Sequence, residues 1–332
     1  VYLIFLFFAA FLASNLAADV AIVSNFACGS DGLEMVVEKG EQVSILPQAT
    51  KAIKREKGLW SRWHKRPLIP LRSLGDKIIF YNLVKKPGKV YSFKGLRKEN
   101  LALVMWEPDT VLPKMYSPKF LKQFGTIFTW DDDLVDNKRF FKFYYPVMRP
   151  MVEELVSFEE KKLCTLIATN LTSPAPHELY SERKRLVDFF ETKPSGEFDL
   201  YGSRWSDSLT TWRGRAEDKQ ETLKHYRFSL CIENSKGSKG YITEKIFDCF
   251  AAGVVPIYFG APNIEEHIPS NCFIDMRQFE DYDKLYDFLK NMSKNIYEEY
   301  LEQIRAYLAS EDAQRFTQPY FSEIFRQFLV KK

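Results

Sequence analysis

Apolar residues in this chain gather into short unbroken runs rather than alternating with polar ones. In the first half the runs are DVAIVSNF (19–26), DKIIFYNLV (76–84), NLALVMWEP (100–108) and FGTIFTW (124–130). Runs of this kind suit strands buried on both faces, as in a parallel sheet covered by helices. A helix-like segment, SPKFLKQF, lies between the last two. The second half alternates more clearly. LCTLIATN (163–170), FDLYG (198–202), YRFSLCIEN (226–234) and VVPIYFG (254–260) read as strands, and SERKRLVDFFET (181–192), TEKIFDCFAA (243–252) and YDKLYDFLKNM (282–292) as helices. Strand and helix in turn, with short links, predict doubly wound α/β layers. Near the end Phe321, Ile324, Phe325, Phe328 and Leu329 fall on one face of a helix.

The charged stretch RPMVEELVSFEEKK (149–162) reads as the linker between the halves. The expected fold is therefore α/β, with two Rossmann-like domains facing across a cleft, over 19–150 and 163–310, and a C-terminal helical stretch over 311–332. Residues 1–18 form an apolar segment set apart from both. It resembles the apolar region of a signal peptide or a short membrane anchor, although its strictly apolar core is shorter than the roughly 20 residues a spanning helix needs.

Composition narrows the function classes. Of 332 residues 45% are hydrophobic and 27% charged, which describes a folded globular chain. A net charge of +3 does not provide the electrostatic footprint of a nucleic-acid binder. Five cysteines stand without CxxC or CxxH spacing, mostly inside apolar runs, and four histidines lack ligand spacing. Buried thiols are expected, and neither a disulfide framework nor a zinc site.

The chemistry concentrates in CIENSKGSKGYITEKIFDCFAAGVVPIYFG (231–260). A strand ends on Glu233 and Asn234, a loop holds two glycines, and a helix opens at Thr243, a suitable N-cap. Ligands of a parallel sheet bind beyond the carboxyl ends of its strands. The first turn of a helix presents unpaired N–H groups that favour phosphate, and Lys245 adds a formal charge there. Asn234 can bond through both ends of its amide, Tyr241 can stack on a ring or donate to phosphate, and Glu244 sits beside Lys245.

The run Glu-Asn-Ser…Gly-Tyr-Ile-Thr-Glu-Lys-Ile followed by VVPIYFGAPN resembles the signature of the family 10 α-1,3-fucosyltransferases. The resemblance extends through IPSNCFIDMRQFEDYDKLYDFL, SERKRLVDFF and FDLYG, and more faintly to VMWEPDTVLPKMY, covering most of residues 100–292. It implies a GT-B fold whose C-terminal domain binds GDP-fucose, with no cofactor required. It further implies an inverting single displacement onto a hydroxyl of an oligosaccharide or glycoconjugate acceptor, in α-1,3 linkage to GlcNAc or Glc. Carried over residue by residue, Lys245 and Arg183, or Arg185 nearby, would neutralise the diphosphate. Asn234 and Tyr241 would contact the donor, Glu244 would lie near fucose and ribose, and Glu107 would be the general base. Glu233 and Thr243 complete the donor set.

The triplet Asp131, Asp132 and Asp133 suits a solvated turn better than a metal site. The loop SKGSKGY is more basic than family versions, and the CxxC of animal members is missing. With GDP-fucose as donor, the apolar start implies a membrane-associated or secretory-pathway location, Golgi-like in a eukaryote and at the cytoplasmic membrane in a bacterium. Two other readings stay open: a non-catalytic nucleotide-sugar or glycan-binding module on a transferase scaffold, and a transferase for another GDP-sugar.

Overall fold

The computed structural model describes residues 97–330 continuously and, ahead of them, segments 20–24, 35–39, 42–46, 69–70, 77–82 and 91–92. The chain divides into two compact units, Val1–Phe143 with Gln318–Lys332, and Tyr144–Thr317.

In the first unit the strands are β1 (Val20–Ser24), β2 (Met35–Lys39), β3 (Gln42–Leu46), β4 (Ile69–Pro70), β5 (Lys77–Tyr81), β6 (Tyr91–Ser92), β7 (Leu101–Met105), β8 (Thr126–Thr129) and β9 (Phe140–Lys142). Seven of them form one sheet in the order β3-β2-β1-β5-β7-β8-β9, and β4 pairs separately with β6. Strands β1, β5, β7, β8 and β9 run parallel. The hairpin β2–β3 is antiparallel and extends the sheet past β1, an addition the hydrophobic runs did not signal. Strand β7 is buried along its whole length, as its unbroken apolar run requires. The short helix α1 (Pro118–Leu121) starts where expected, with Pro at its first position and the Ser117 hydroxyl accepting from Phe120 N–H.

The second unit carries β10 (Lys162–Ile167), α2 (Tyr180–Phe190), β11 (Phe198–Tyr201), α3 (Lys219–Leu223), β12 (Tyr226–Ile232), α4 (Glu244–Ala251), β13 (Val255–Phe259), β14 (Ile274–Asp275), α5 (Tyr282–Asn291), α6 (Lys294–Leu308) and α7 (Glu311–Gln314). Its sheet has the order β11-β10-β12-β13-β14 and every pairing is parallel. The chain steps outward from β10 to β11, then back across to β12. The connections leaving β10 and β12 therefore diverge, which opens a crevice at their carboxyl ends. Gly202 follows β11 with φ +130, and a Cβ there would stand 1.8 Å from Ala168 C=O, so only glycine lets these strand ends close up.

The segment 149–162, expected as a linker, packs onto the second unit. Val152 N–H donates to Ala251 C=O (2.9 Å), and the Arg227 guanidinium lies 3.7 Å from the centre of the Phe158 ring. The glutamates Glu153, Glu154, Glu159 and Glu160 face solvent while the apolar positions dock, so high charge did not mean a free tether. The chain also crosses back at its end. Helix α8 (Gln318–Val330) belongs to the first unit, where Phe321 meets Trp106 and Phe143, and Phe325 packs 4.3 Å from Phe128.

The membrane-associated or secretory-pathway location is corrected: among the described residues no helix is long and apolar enough to cross a membrane. The apolar segment 1–18 on which that expectation rested, like Cys28, lies outside the described residues. Cys164, Cys231, Cys249 and Cys272 are free and buried.

Lys161 ties segment 149–162 to the core. It is 4% exposed, and its ammonium donates to Gly253 C=O (2.5 Å) and to the Tyr297 hydroxyl (3.0 Å). Burial pulls its pKa down to about 8. Between pH 8 and the ordinary value of 10.5 the unfolded chain holds a proton that the folded chain has lost. Stability from this site therefore rises with pH across that window. Urea unfolding of the wild type and Lys161→Met should yield a stability difference that moves toward the wild type from pH 8 upward, approaching about 3 kcal/mol. A difference independent of pH would contradict the buried charge.

Candidate active site

The chain leaves β12 on Glu233, whose side chain is completely buried. A buried carboxylate is costly unless charge and hydrogen bonds meet it. Here the Thr243 N–H and hydroxyl both reach Oε1 at 2.9 Å, and Lys245 Nζ reaches Oε2 at 2.9 Å. Thr243 in turn caps α4, accepting from Lys245 N–H. One carboxylate thus fixes the helix N-terminus and the cation in its first turn. The space is reserved by Gly260, where a Cβ would stand 2.5 Å from Glu233 Cγ.

Beside this junction lies a pocket of about 340 Å³ at the crevice between β10 and β12. Arg183, Asn234, Glu244 and Lys245 line it, together with Lys219 and Asp248. Arg183, in the first turn of α2, is 4% exposed. Its guanidinium donates to neutral oxygens, Ile232 C=O (2.6 Å) and Asn234 Oδ1 (2.8 Å). Asn234 uses the other end of its amide on the Tyr241 hydroxyl (3.2 Å). Arg185 does not share the pocket; it is 60% exposed and pairs with Glu182.

The electrostatics follow from this packing. Burial lowers the Arg183 pKa from its ordinary value. For Lys245 burial acts in the same direction, but Glu233 and Glu244 outweigh it and raise the pKa. Burial pushes Glu244 up, while Lys245, Lys219, its own backbone N–H and the Thr243 hydroxyl together bring it down to about 2. The pocket therefore offers the ionised carboxylate of Glu244 next to cations at a helix N-terminus, a combination that suits a diphosphate and a hydroxyl-bearing sugar together.

Of the expected donor residues, Arg183, Asn234, Glu244 and Lys245 come together at the pocket wall. Glu233 and Thr243 stand behind it and hold Lys245 in place. Tyr241, expected to contact the donor by stacking or through its hydroxyl, is 2% exposed with its ring against Tyr145, and its hydroxyl accepts from the Asn234 amide. Glu107 belongs to the first unit, just past β7. Its N–H and that of Trp106 donate to Asn82 Oδ1 (2.9 and 3.0 Å), and its C=O accepts from the Tyr116 hydroxyl (3.0 Å). Asp131 accepts from Asp133 N–H and Asp132 pairs with Lys142, which makes the acidic triplet a self-bonded turn. Among the described residues no group of three or more His, Cys, Asp or Glu is placed to hold a metal.

Sequence reading passed over Lys219 and Asp248. Lys219 sits in a run of mixed charge with no distinguishing pattern. Asp248 does carry a signal: it is a carboxylate set among apolar residues of α4, four residues after Glu244 and so on the same face.

Residues 159–324, half of the chain, match the family model described as glycosyltransferase family 10 (fucosyltransferase) C-term. An α-(1,3)-fucosyltransferase FucT of Helicobacter pylori is 36% identical over 83 residues, covering 24% of this chain and 17% of that protein. An α-(1,4)-fucosyltransferase of Arabidopsis thaliana is 38% identical over 80 residues, covering 24% of this chain and 20% of that protein. The matched stretch thus spans a fifth or less of each relative. A crystal structure of an α1,3-fucosyltransferase is similar over 86% of this chain and 88% of that one, with a TM-score of 0.55 at 18% identity. At that identity the likeness speaks to fold, and the fold is GT-B, with two domains each built of a sheet and helices.

Glu233→Gln should cost about 2 kcal/mol in denaturant unfolding, because Lys245 and Thr243 lose a charged acceptor in a buried place. Unchanged stability would mean that the junction does not depend on that carboxylate.

Proposed function

Because the chain belongs to glycosyltransferase family 10, we propose that it is an inverting fucosyltransferase moving L-fucose from GDP-fucose to a hydroxyl of a glycan acceptor. The observation that carries this reading is the pocket at the β10/β12 crevice. There a buried guanidinium, Arg183, bonded to neutral oxygens, stands with Lys245 at the N-terminus of α4. Such a site suits a nucleoside diphosphate.

In the proposed reaction an acceptor hydroxyl attacks the anomeric carbon of β-linked fucose while the bond from that carbon to the GDP oxygen breaks. The product is α-linked. Arg183, Lys245 and the helix N-terminus stabilise the charge that develops on the departing GDP. Glu244, ionised in the folded protein, accepts hydrogen bonds from donor sugar hydroxyls. Glu107 takes the proton of the attacking hydroxyl. Its backbone is held at the carboxyl end of β7 by Asn82 and Tyr116, which supports a fixed position for the carboxylate. The proposed linkage is α-1,3, to GlcNAc or Glc.

The deciding experiment is a panel of GDP- and UDP-sugars with a small set of oligosaccharide acceptors and product linkage analysis. GDP-fucose should be the donor turned over, with an α-1,3-linked product. Lys245→Ala should lower turnover by about 10²–10³ with the circular dichroism spectrum kept. Glu107→Gln should lower kcat by about 10²–10⁴ while GDP affinity stays the same. Full turnover in Lys245→Ala would remove the leaving-group role, and full turnover in Glu107→Gln would remove the base.

A further inference from the structure

The donor pocket contains a third cation. Lys219 is the first residue of α3, set there by the Asp218 cap that accepts from Glu221 N–H. Its Nζ lies 2.8 Å from Asp248 Oδ2, and its side chain is 42% exposed. Asp248 is 8% exposed and its second oxygen, Oδ1, accepts from Arg149. One carboxylate therefore has two cations. The group Arg149–Asp248–Lys219 carries one positive charge in excess, and of its cations Lys219 is the one lining the pocket. Asp248 and Glu244 lie one helical turn apart on one face of α4, so Lys219 stands beside the carboxylate end of the site. Burial lowers the Lys219 pKa, while Asp248 and Glu244 outweigh it and raise the value, keeping the ammonium charged.

We propose that Lys219 is a donor-binding cation that exchanges Asp248 for a diphosphate oxygen when the donor enters, while Arg149 keeps Asp248 paired. The exchange costs little because Asp248 is never left as an uncompensated buried charge. The lysine stem has the freedom to turn, and its compact ammonium suits a point contact with phosphate. Arg183 and Lys245 are fixed by their partners, whereas Lys219 adapts. This inference rests on the donor reading given above.

Titration calorimetry with the full chain tests it, using GDP and guanosine as probes. Lys219→Met should weaken GDP binding roughly tenfold and leave guanosine binding unchanged. It should raise KM for GDP-fucose more than it lowers kcat, and Lys219→Arg should restore most of the affinity. Lys219→Gln replaces the Met variant if that one does not fold. GDP binding equal to wild type, or equal losses for GDP and guanosine, would overturn the phosphate contact. A wild-type chain that binds no GDP would instead bring down the donor reading, and this inference with it.

Discussion

The site depends on one buried negative charge. Glu233 leaves β12 with no exposure to solvent, and a carboxylate in that position must be met from within the fold. The partners that meet it are the cap and first-turn cation of α4, so satisfying one charge also fixes where the helix begins. The direction of the helix N-terminus, the place of Lys245 and the close approach at Gly260 all follow from that requirement. Because Glu233 and Lys245 are bound to each other, the cation is held in a single place before any ligand arrives. Preorganisation of this kind is what makes an electrostatic site effective, since little reorganisation remains when charge develops.

Sheet topology decides where this junction opens. The order β11-β10-β12 makes neighbouring connections diverge, and the space between them is the pocket. Its charges come from three helices: Arg183 from α2, Lys219 from α3, and Glu244, Lys245 and Asp248 from α4. Each cation already has acceptors in the free protein, so their mutual repulsion does not unravel the site. Arg183 bonds neutral oxygens, Lys245 a buried carboxylate, and Lys219 a carboxylate that has a second cation. The three therefore differ in how readily they can turn to an incoming anion.

The apolar runs gave β1, β5, β7, β8, β10, β11, β12 and β13 and the helices α2, α4 and α5 to within a few residues, because a strand buried on both faces admits almost no polar side chain, but they did not signal the short strands β4, β6, β9 and β14 or helix α3. They missed β2 and β3, whose short mixed runs gain their partners only from the sheet edge. They also misread segment 149–162. Its glutamates suggested a solvated tether, but Val152 and Phe158 between them dock on the second unit, with Lys161 buried at the end. Charge density records how much of a segment faces water, not whether its other face is packed.

The motif in 231–260 identified the strand–helix junction, the cap at Thr243 and the cation at Lys245, since these follow from local chain order. What each side chain does there was decided by tertiary packing. Arg185 stood beside Arg183 as an alternative, and packing buries the first against the Ile232 carbonyl at the end of β12 and leaves the second paired with Glu182 in solvent. Tyr241 could have faced a ligand, yet its ring went into the core. Lys219 and Asp248, 29 residues apart, had no reason to be read together until α3 and α4 packed side by side. The sequence by itself determined the elements and the residue types at their ends, because these depend on neighbours along the chain. Only the tertiary structure decided which charges share a pocket, because that depends on which strand ends diverge and which side chains the core leaves no room to bury.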